Sequence, residues 1–177
     1  EIRAQLDRAV TLGIPITHVD THMGTLYAKP EYTDAYVKLG IEKEIPIMIM
    51  GGHLQFIGED EQDIVKQLQV TQLAEKVWQG GLPVLDDLLN RTYGWKTFDE
   101  KKANLLKALG EMRPGLTMVI FHCAQPTDEW EHFTTSSETR TNDLKLMTDP
   151  DVKKFLEDGK FIQTTFRELM ERRKAAK

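Results

Sequence analysis

The chain has 177 residues, is 40% hydrophobic and has a formal net charge of -5 at pH 7, which suits one globular domain over residues 1–177 with a single core. Its basic residues cluster only near the end, from Arg172 to Lys177, so nucleic acid is not expected as a partner. The single cysteine, Cys123, excludes an internal disulfide, and no apolar run approaches the ~20 residues that cross a bilayer. We therefore expect a protein of the cytoplasm that has no membrane partner.

The hydrophobic pattern of the first half alternates between helical spacing and short apolar runs, which is typical of helices that alternate with buried parallel strands. The pattern predicts a helix that ends near Gly13, a helix that begins at Pro30 and a long helix over residues 62–79. It predicts strands over residues 14–19, 45–50 and 83–86.

The second half continues the alternation. Thr97 and Glu100 have the spacing of a capping box and predict the start of a helix, and Asp149-Pro150 predicts another. The remaining predictions are strands over 116–121 and 160–165, a loop over 124–141, a helix through Leu144 and Met147, and a closing helix over 166–173. About five strands are fewer than the ~8 that usually close a parallel barrel, so the sheet is either open or has further strands upstream.

The polar residues of His18-Val19-Asp20-Thr21-His22 follow an apolar run. In an extended chain residues two apart point the same way, so two imidazoles and a carboxylate can face one spot. Such a set suits zinc, magnesium or manganese. The alternative is that these are ordinary polar residues at a strand end, with the histidines bonded to the backbone. His122 also ends a predicted strand, and His53 follows the Gly51-Gly52 pair.

Several ordered motifs resemble those of the YdjC-like deacetylases, which include chitooligosaccharide deacetylases. The resemblance covers nearly the whole chain, and it rests on residues 1–6, 15–22, 121–122, 140–144 and 166–169. It implies a polysaccharide-deacetylase-like parallel α/β barrel and the hydrolysis of an N-acetyl group from an amino-sugar oligosaccharide. It also implies one divalent metal ion, Mg or Zn.

In that family the metal is held by an aspartate of an N-terminal Asp-Asp pair, by a histidine of a later upstream strand and by the second histidine of the H-x-D-x-H motif. Only the last has a match here, His22, so the resemblance implies that the first strands are missing from this chain. Asp86-Asp87 follows a different strand, and we do not assign it the metal role. Two departures are Phe121-His122-Cys123 in place of Cys-His-Pro, and residues 23–26, where many relatives carry further histidines.

The resemblance and the residue chemistry together give each candidate a role. His22 is the expected metal ligand and His18 a further one. His122 is the expected general acid, and Asp20 orients a histidine or contacts the metal through water. The expected substrate-binding residues are Arg140, His53 and Asp86.

Three other functions stay open at this point. The first is a different barrel metal hydrolase, and the second is a catalytically incomplete fragment that acts as a folded or partner-completed module. The third is an α/β domain that binds another protein. An uncovered sheet edge would also favour a homodimer.

Overall fold

The structure is a computed structural model that describes residues 1–57, 70–159 and 161–176. The chain divides into two compact units: unit 1 comprises Glu1–Asp87 and Thr164–Lys177, and unit 2 comprises Leu88–Gln163. The single-domain interpretation stays a prediction. The described elements follow one another as α1 (Ile2–Thr11), a 3-10 helix (His22–Tyr27), α2 (Pro30–Lys43), α3 (Val70–Gln79), β1 (Asp87–Leu89), a 3-10 helix (Arg91–Gly94), α4 (Phe98–Glu111), β2 (Thr117–Val119), a 3-10 helix (Trp130–His132), α5 (Ser137–Met147), α6 (Pro150–Asp158) and α7 (Phe166–Ala175).

Helix ends follow local signals in the sequence. Pro30 occupies the first turn of α2, where its missing N–H costs nothing. Asp149 caps α6 through its side chain, which accepts hydrogen bonds from the Asp151 and Val152 N–H groups. Thr97 caps α4 by accepting from the Glu100 N–H. The Glu100 carboxylate, however, accepts from the Lys96 N–H, one residue before the position that a capping box would use.

Three short segments pair side by side in unit 1. Val19 forms a parallel bridge with Ile47, and Met50 forms another with Leu85. These segments pack with α2 and α3 around an apolar core that contains Tyr36, Val37, Ile47, Ile49, Ala74, Val77 and Leu82. The parallel direction places the carboxyl end of every segment at the same edge, which is where α/β proteins carry their sites.

Unit 2 is built around α4, which packs against α5 and α6. Leu105 and Leu109 of α4, Leu146 of α5 and Val152 of α6 are buried. β1 and β2 form a two-stranded sheet, and the Ile120 N–H donates to the Leu89 carbonyl just beyond β2. The strand predicted over residues 116–121 is therefore shorter than expected, and it is half-buried where full burial was expected.

The α/β class is confirmed, whereas a closed barrel and a homodimer stay predictions. The strand predicted over 160–165 is wrong for the described residues 161–165, because Thr165 caps α7 and Phe161 packs 6.3 Å from the ring of Phe155. In the segment over 14–19 only Val19 is bridged, and Ile14 is exposed. Part of the helix predicted over 62–79 lies outside the described residues, and the rest is α3. No helix among the described residues is long and apolar enough to cross a bilayer.

Candidate functional site

Polar side chains follow all three paired segments of unit 1. Asp20, Thr21 and His22 follow Val19, His53 comes three residues after Met50, and Asp86-Asp87 follows Leu85. The Gly51 N–H donates to the Leu85 carbonyl (2.9 Å), and the Leu54 N–H donates to the Asp86 carbonyl (3.2 Å). The second and third segments therefore stay together beyond their bridge, and their polar residues lie at a common edge.

The chain turns sharply after the first segment. The Asp20 Oδ1 accepts a hydrogen bond from the Thr21 N–H (2.6 Å), and the buried Thr21 hydroxyl accepts from the Leu26 N–H (2.8 Å). His22 is exposed, and the next two residues, Met23 and Gly24, both have positive φ angles. A positive φ is unfavourable for Met, so the turn places backbone strain directly beside the predicted metal ligand.

The His18 ring has two contacts that the sequence did not indicate. Its ring stacks on Phe166 with the centroids 4.3 Å apart, and its Nδ1 lies 2.9 Å from the Thr17 hydroxyl. Among the described residues, no three His, Cys, Asp or Glu side chains form a group that could hold a metal ion. The metal roles of His18 and His22 therefore stay predictions.

The hydroxyls of two tyrosines hydrogen-bond to the backbone of the first and second segments. The Tyr36 hydroxyl donates to the Val19 carbonyl (2.6 Å) and accepts from the Met48 N–H (2.9 Å), and the Tyr27 hydroxyl donates to the Met48 carbonyl. Burial raises the pKa of both tyrosines above the ordinary value, and the negative charge of Asp20 raises each pKa further. Both hydroxyls therefore stay protonated next to Asp20.

His53 lies beside Asp87, and its side chain is largely buried. The Nδ1 of His53 is 3.1 Å from the Asp87 Oδ2, and the Asp87 side chain is fully buried. A protonated imidazole at this distance would form an ion pair with Asp87, and neither ring nitrogen has a hydrogen-bond partner among the described residues. The Phe56 N–H donates to both oxygens of Asp87 (3.1 and 3.2 Å). Asp87 thus contacts both the His53 ring and the backbone three residues after it.

Asp86 lies directly against the backbone of Gly52. A Cβ placed on Gly52 would come within 2.4 Å of the Asp86 Oδ1 and within 2.5 Å of its Cα. Only glycine permits this approach, which explains one of the two glycines before His53. The expected substrate-binding residues His53 and Asp86 therefore follow neighbouring segments that are in contact.

His122 lies in unit 2, at the end of the segment that contains β2. Its backbone N–H donates to the Asp143 Oδ2 (2.8 Å), and its ring meets Tyr93 edge-to-face at 5.3 Å. The Nδ1 of the ring is buried and has no hydrogen-bond partner among the described residues. Cys123, the next residue, is exposed, but partial burial and the nearby Asp143 charge raise the pKa of its thiol, which disfavours a reactive thiolate.

Arg140 was expected in a loop, and this expectation is wrong, because the residue lies in the first turns of α5. Its Nε donates to the Ser136 hydroxyl (3.0 Å), and its carbonyl accepts from the Ala124 N–H (3.3 Å). Arg140 therefore ties the start of α5 to the segment that follows His122. Its predicted role in substrate binding stays a prediction.

No role followed from the sequence for Tyr36, Asp87, Tyr93, Lys101 or Asp143. Asp87, Tyr93 and Asp143 each contact a candidate residue or its backbone. Tyr36 bonds to Val19, the residue before Asp20, and Lys101 pairs with Asp143. One available signal was overlooked: Lys101 falls in the buried stripe of α4 together with Leu105 and Leu109, and a lysine there needs a buried partner. The partners of the other four residues are distant in sequence.

The family model of YdjC-like proteins matches residues 1–158. A carbohydrate deacetylase of Thermoanaerobacter pseudethanolicus is 26% identical over 167 residues, which cover 94% of this chain and 57% of that protein. A crystal structure from Enterococcus faecalis V583, described as a candidate cellobiose-phosphate cleavage protein, matches with a TM-score of 0.59 at 13% identity. The match covers 86% of this chain and 52% of that one, and it supports the fold alone. The chain thus spans little more than half the length of these relatives, and on the extent of the family match it belongs to the YdjC-like proteins.

Proposed function

We propose that this chain is part of a metal-dependent carbohydrate deacetylase that removes N-acetyl groups from amino-sugar oligosaccharides. Family membership and the similarity to a carbohydrate deacetylase support the reaction class. The observation that carries the proposal is the parallel pairing in unit 1, because it aligns the ends that bear His22, His53 and Asp86. A hydrolytic site needs convergent imidazole and carboxylate groups, and the alignment of these segment ends supports the proposal of such a site.

We propose that the described residues contribute one part of a metal site. Imidazole and carboxylate donors at one edge suit Zn or Mg, and His22 is exposed and accessible to an ion. The described residues hold no complete group of three ligands, so we propose that His22 acts together with ligands outside them. When bound, such a cation supplies Lewis-acid polarisation of the amide carbonyl and activation of water.

The other candidates act through their own side chains. We assign His122 as the general acid, with Nε2 as the atom that gives a proton to the leaving amine, because Nδ1 is buried. Asp20 is braced by the Thr21 N–H and can orient a histidine through its carboxylate. His53, Asp86 and Arg140 are assigned to the sugar hydroxyls, with which carboxylate and guanidinium groups hydrogen-bond readily.

A second candidate function is a catalytically incomplete module that a partner completes. The absence of a three-ligand group among the described residues favours it for the chain by itself. The two candidates differ in one measurable respect, since a module would bind no catalytic metal alone and would release no acetate.

The test combines metal binding with product analysis on the full chain. Zn and Mg binding is measured by calorimetry, and acetate release is measured with N-acetylated chitooligosaccharides, for the parent chain and for His22→Ala. We expect stoichiometric binding that His22→Ala weakens by about 10- to 1000-fold and acetate release that falls in parallel. His132→Ala is the matched control, because this histidine is also exposed but lies in the 3-10 helix of unit 2.

Metal binding and acetate release that survive His22→Ala unchanged would overturn the assignment of His22. A parent chain that binds neither ion and releases no acetate would favour the incomplete module.

A further inference from the structure

We infer that Asp143, neutralised by Lys101, is a positioning residue for His122. The inference rests on the proposed function, because it assigns a structural cause to the orientation of the general acid. The two side chains are fully buried and form an ion pair with 2.6 Å between the Lys101 Nζ and the Asp143 Oδ1. All of the residues concerned belong to unit 2.

The carboxylate of Asp143 is divided between two donors. Its Oδ1 accepts from Lys101, and its Oδ2 accepts from the backbone N–H of His122 at 2.8 Å. Hydrogen bonds to an ionised acceptor are shorter and stronger than neutral ones, so the contact holds the His122 backbone firmly. The contact joins residues 21 positions apart. It lies just beyond the end of β2, where the strand no longer holds the backbone.

The same ion pair also supports the residue that packs on the ring. The Lys101 Nζ donates to the Thr92 carbonyl (2.5 Å), and the Thr92 hydroxyl donates to the Ile120 carbonyl (2.6 Å). Tyr93, the neighbour of Thr92, meets the His122 ring at an interplanar angle of 71°. One buried ion pair thus holds both the backbone of His122 and the segment of Tyr93, which packs against the His122 ring.

Stability alone is a weak reason to bury such a pair. Desolvation of two charges offsets most of their attraction, and well-packed apolar residues often replace a buried pair at no loss. A carboxylate on Nδ1 commonly orients a catalytic histidine, but the Nδ1 of His122 has no hydrogen-bond partner among the described residues. We therefore assign the orientation of His122 to the backbone contact with Asp143, which takes the place of a contact to Nδ1 of the ring.

The test compares two double variants with equal charge and similar volume. Lys101→Met with Asp143→Asn keeps a carbonyl oxygen that can accept from the His122 N–H. Lys101→Met with Asp143→Leu removes the acceptor. Neither leaves a buried charge unpaired, which is the usual reason why a single substitution of such a pair unfolds a protein. Circular dichroism spectra establish that both variants are folded.

We expect the kcat for acetate release to be about 10- to 100-fold lower in the leucine double variant than in the asparagine double variant, with little difference in KM. We also expect the His122 amide to exchange its hydrogen faster in the leucine variant. Lys154→Met with Asp158→Leu is the matched control, because it removes an exposed ion pair of α6 by the same substitutions.

Equal kcat values and equal amide exchange in the two double variants would overturn the inference, as would a difference confined to KM. If the parent chain releases no acetate, the proposed function fails and the catalytic role of His122 fails with it. The exchange measurement then still decides whether Asp143 holds the His122 backbone.

Discussion

The hydroxyl of Tyr36 joins two of the paired segments of unit 1, and its removal tests how this edge is held together. Tyr36 is fully buried in α2. Its hydroxyl lies between the Val19 carbonyl and the Met48 N–H, two groups that would pair directly in an uninterrupted parallel ladder. Tyr36→Phe keeps the ring in the core and removes only the oxygen.

The expected loss of stability follows from the two backbone groups that the substitution leaves without a partner. A buried donor or acceptor that loses its partner costs about 1–3 kcal/mol, so two such groups lower the free energy of unfolding by about 2–6 kcal/mol. The ring is retained, so no cavity larger than one oxygen adds to this loss.

Urea unfolding followed by circular dichroism measures the change. Tyr32→Phe is the control, because this residue lies in the same helix and is 44% exposed, and its variant should stay within about 0.5 kcal/mol of the parent. A loss below about 1 kcal/mol for Tyr36→Phe would show that Val19 and Met48 pair without the hydroxyl, which would refute the bridging role.

Two further predictions concern the same edge. Gly52→Ala should lower the free energy of unfolding by about 1–3 kcal/mol, because the added Cβ would meet Asp86, whereas Gly94→Ala, with no atom within 4 Å of its Cβ, should change it by about 0.5 kcal/mol or less. Equal effects of the two substitutions in urea unfolding would contradict the close approach. Ionisation of the two buried tyrosines should not affect the free energy of unfolding below pH ~10. Above that pH the free energy should fall by about 1.4 kcal/mol per pH unit for each tyrosine, because the unfolded chain ionises first while burial raises the folded pKa of Tyr27 and Tyr36. A double variant, Tyr27→Phe with Tyr36→Phe, should have a correspondingly smaller slope, and the same alkaline slope in both proteins would disprove the assignment.

The sequence was sufficient to predict most of the helices and the residues at which several of them begin. Pro30 and Asp149 act within a few residues of their own position, so a one-dimensional reading detects them. The same is true of the motif that ends in His22, whose resemblance to the YdjC-like proteins was confirmed by the family match.

The predicted strand over residues 160–165 shows where such reading fails. Its threonines and aromatic residue have high strand propensity, but propensity for strands depends on the neighbours that a segment finds. Thr165 instead caps α7, and Thr164 donates to the Glu168 carboxylate. The sequence contains this capping signal too, and it competes locally with the strand pattern.

The partners of the candidate site residues were decided only by the tertiary structure. Asp143 reaches the His122 backbone across 21 positions, and the Phe56 N–H reaches Asp87 across 31. Neither contact follows a sequence motif of fixed spacing, so neither could be predicted from the sequence. Hydrophobic periodicity and capping motifs encode local geometry, whereas the selection of one buried carboxylate for one backbone N–H depends on how separate elements pack.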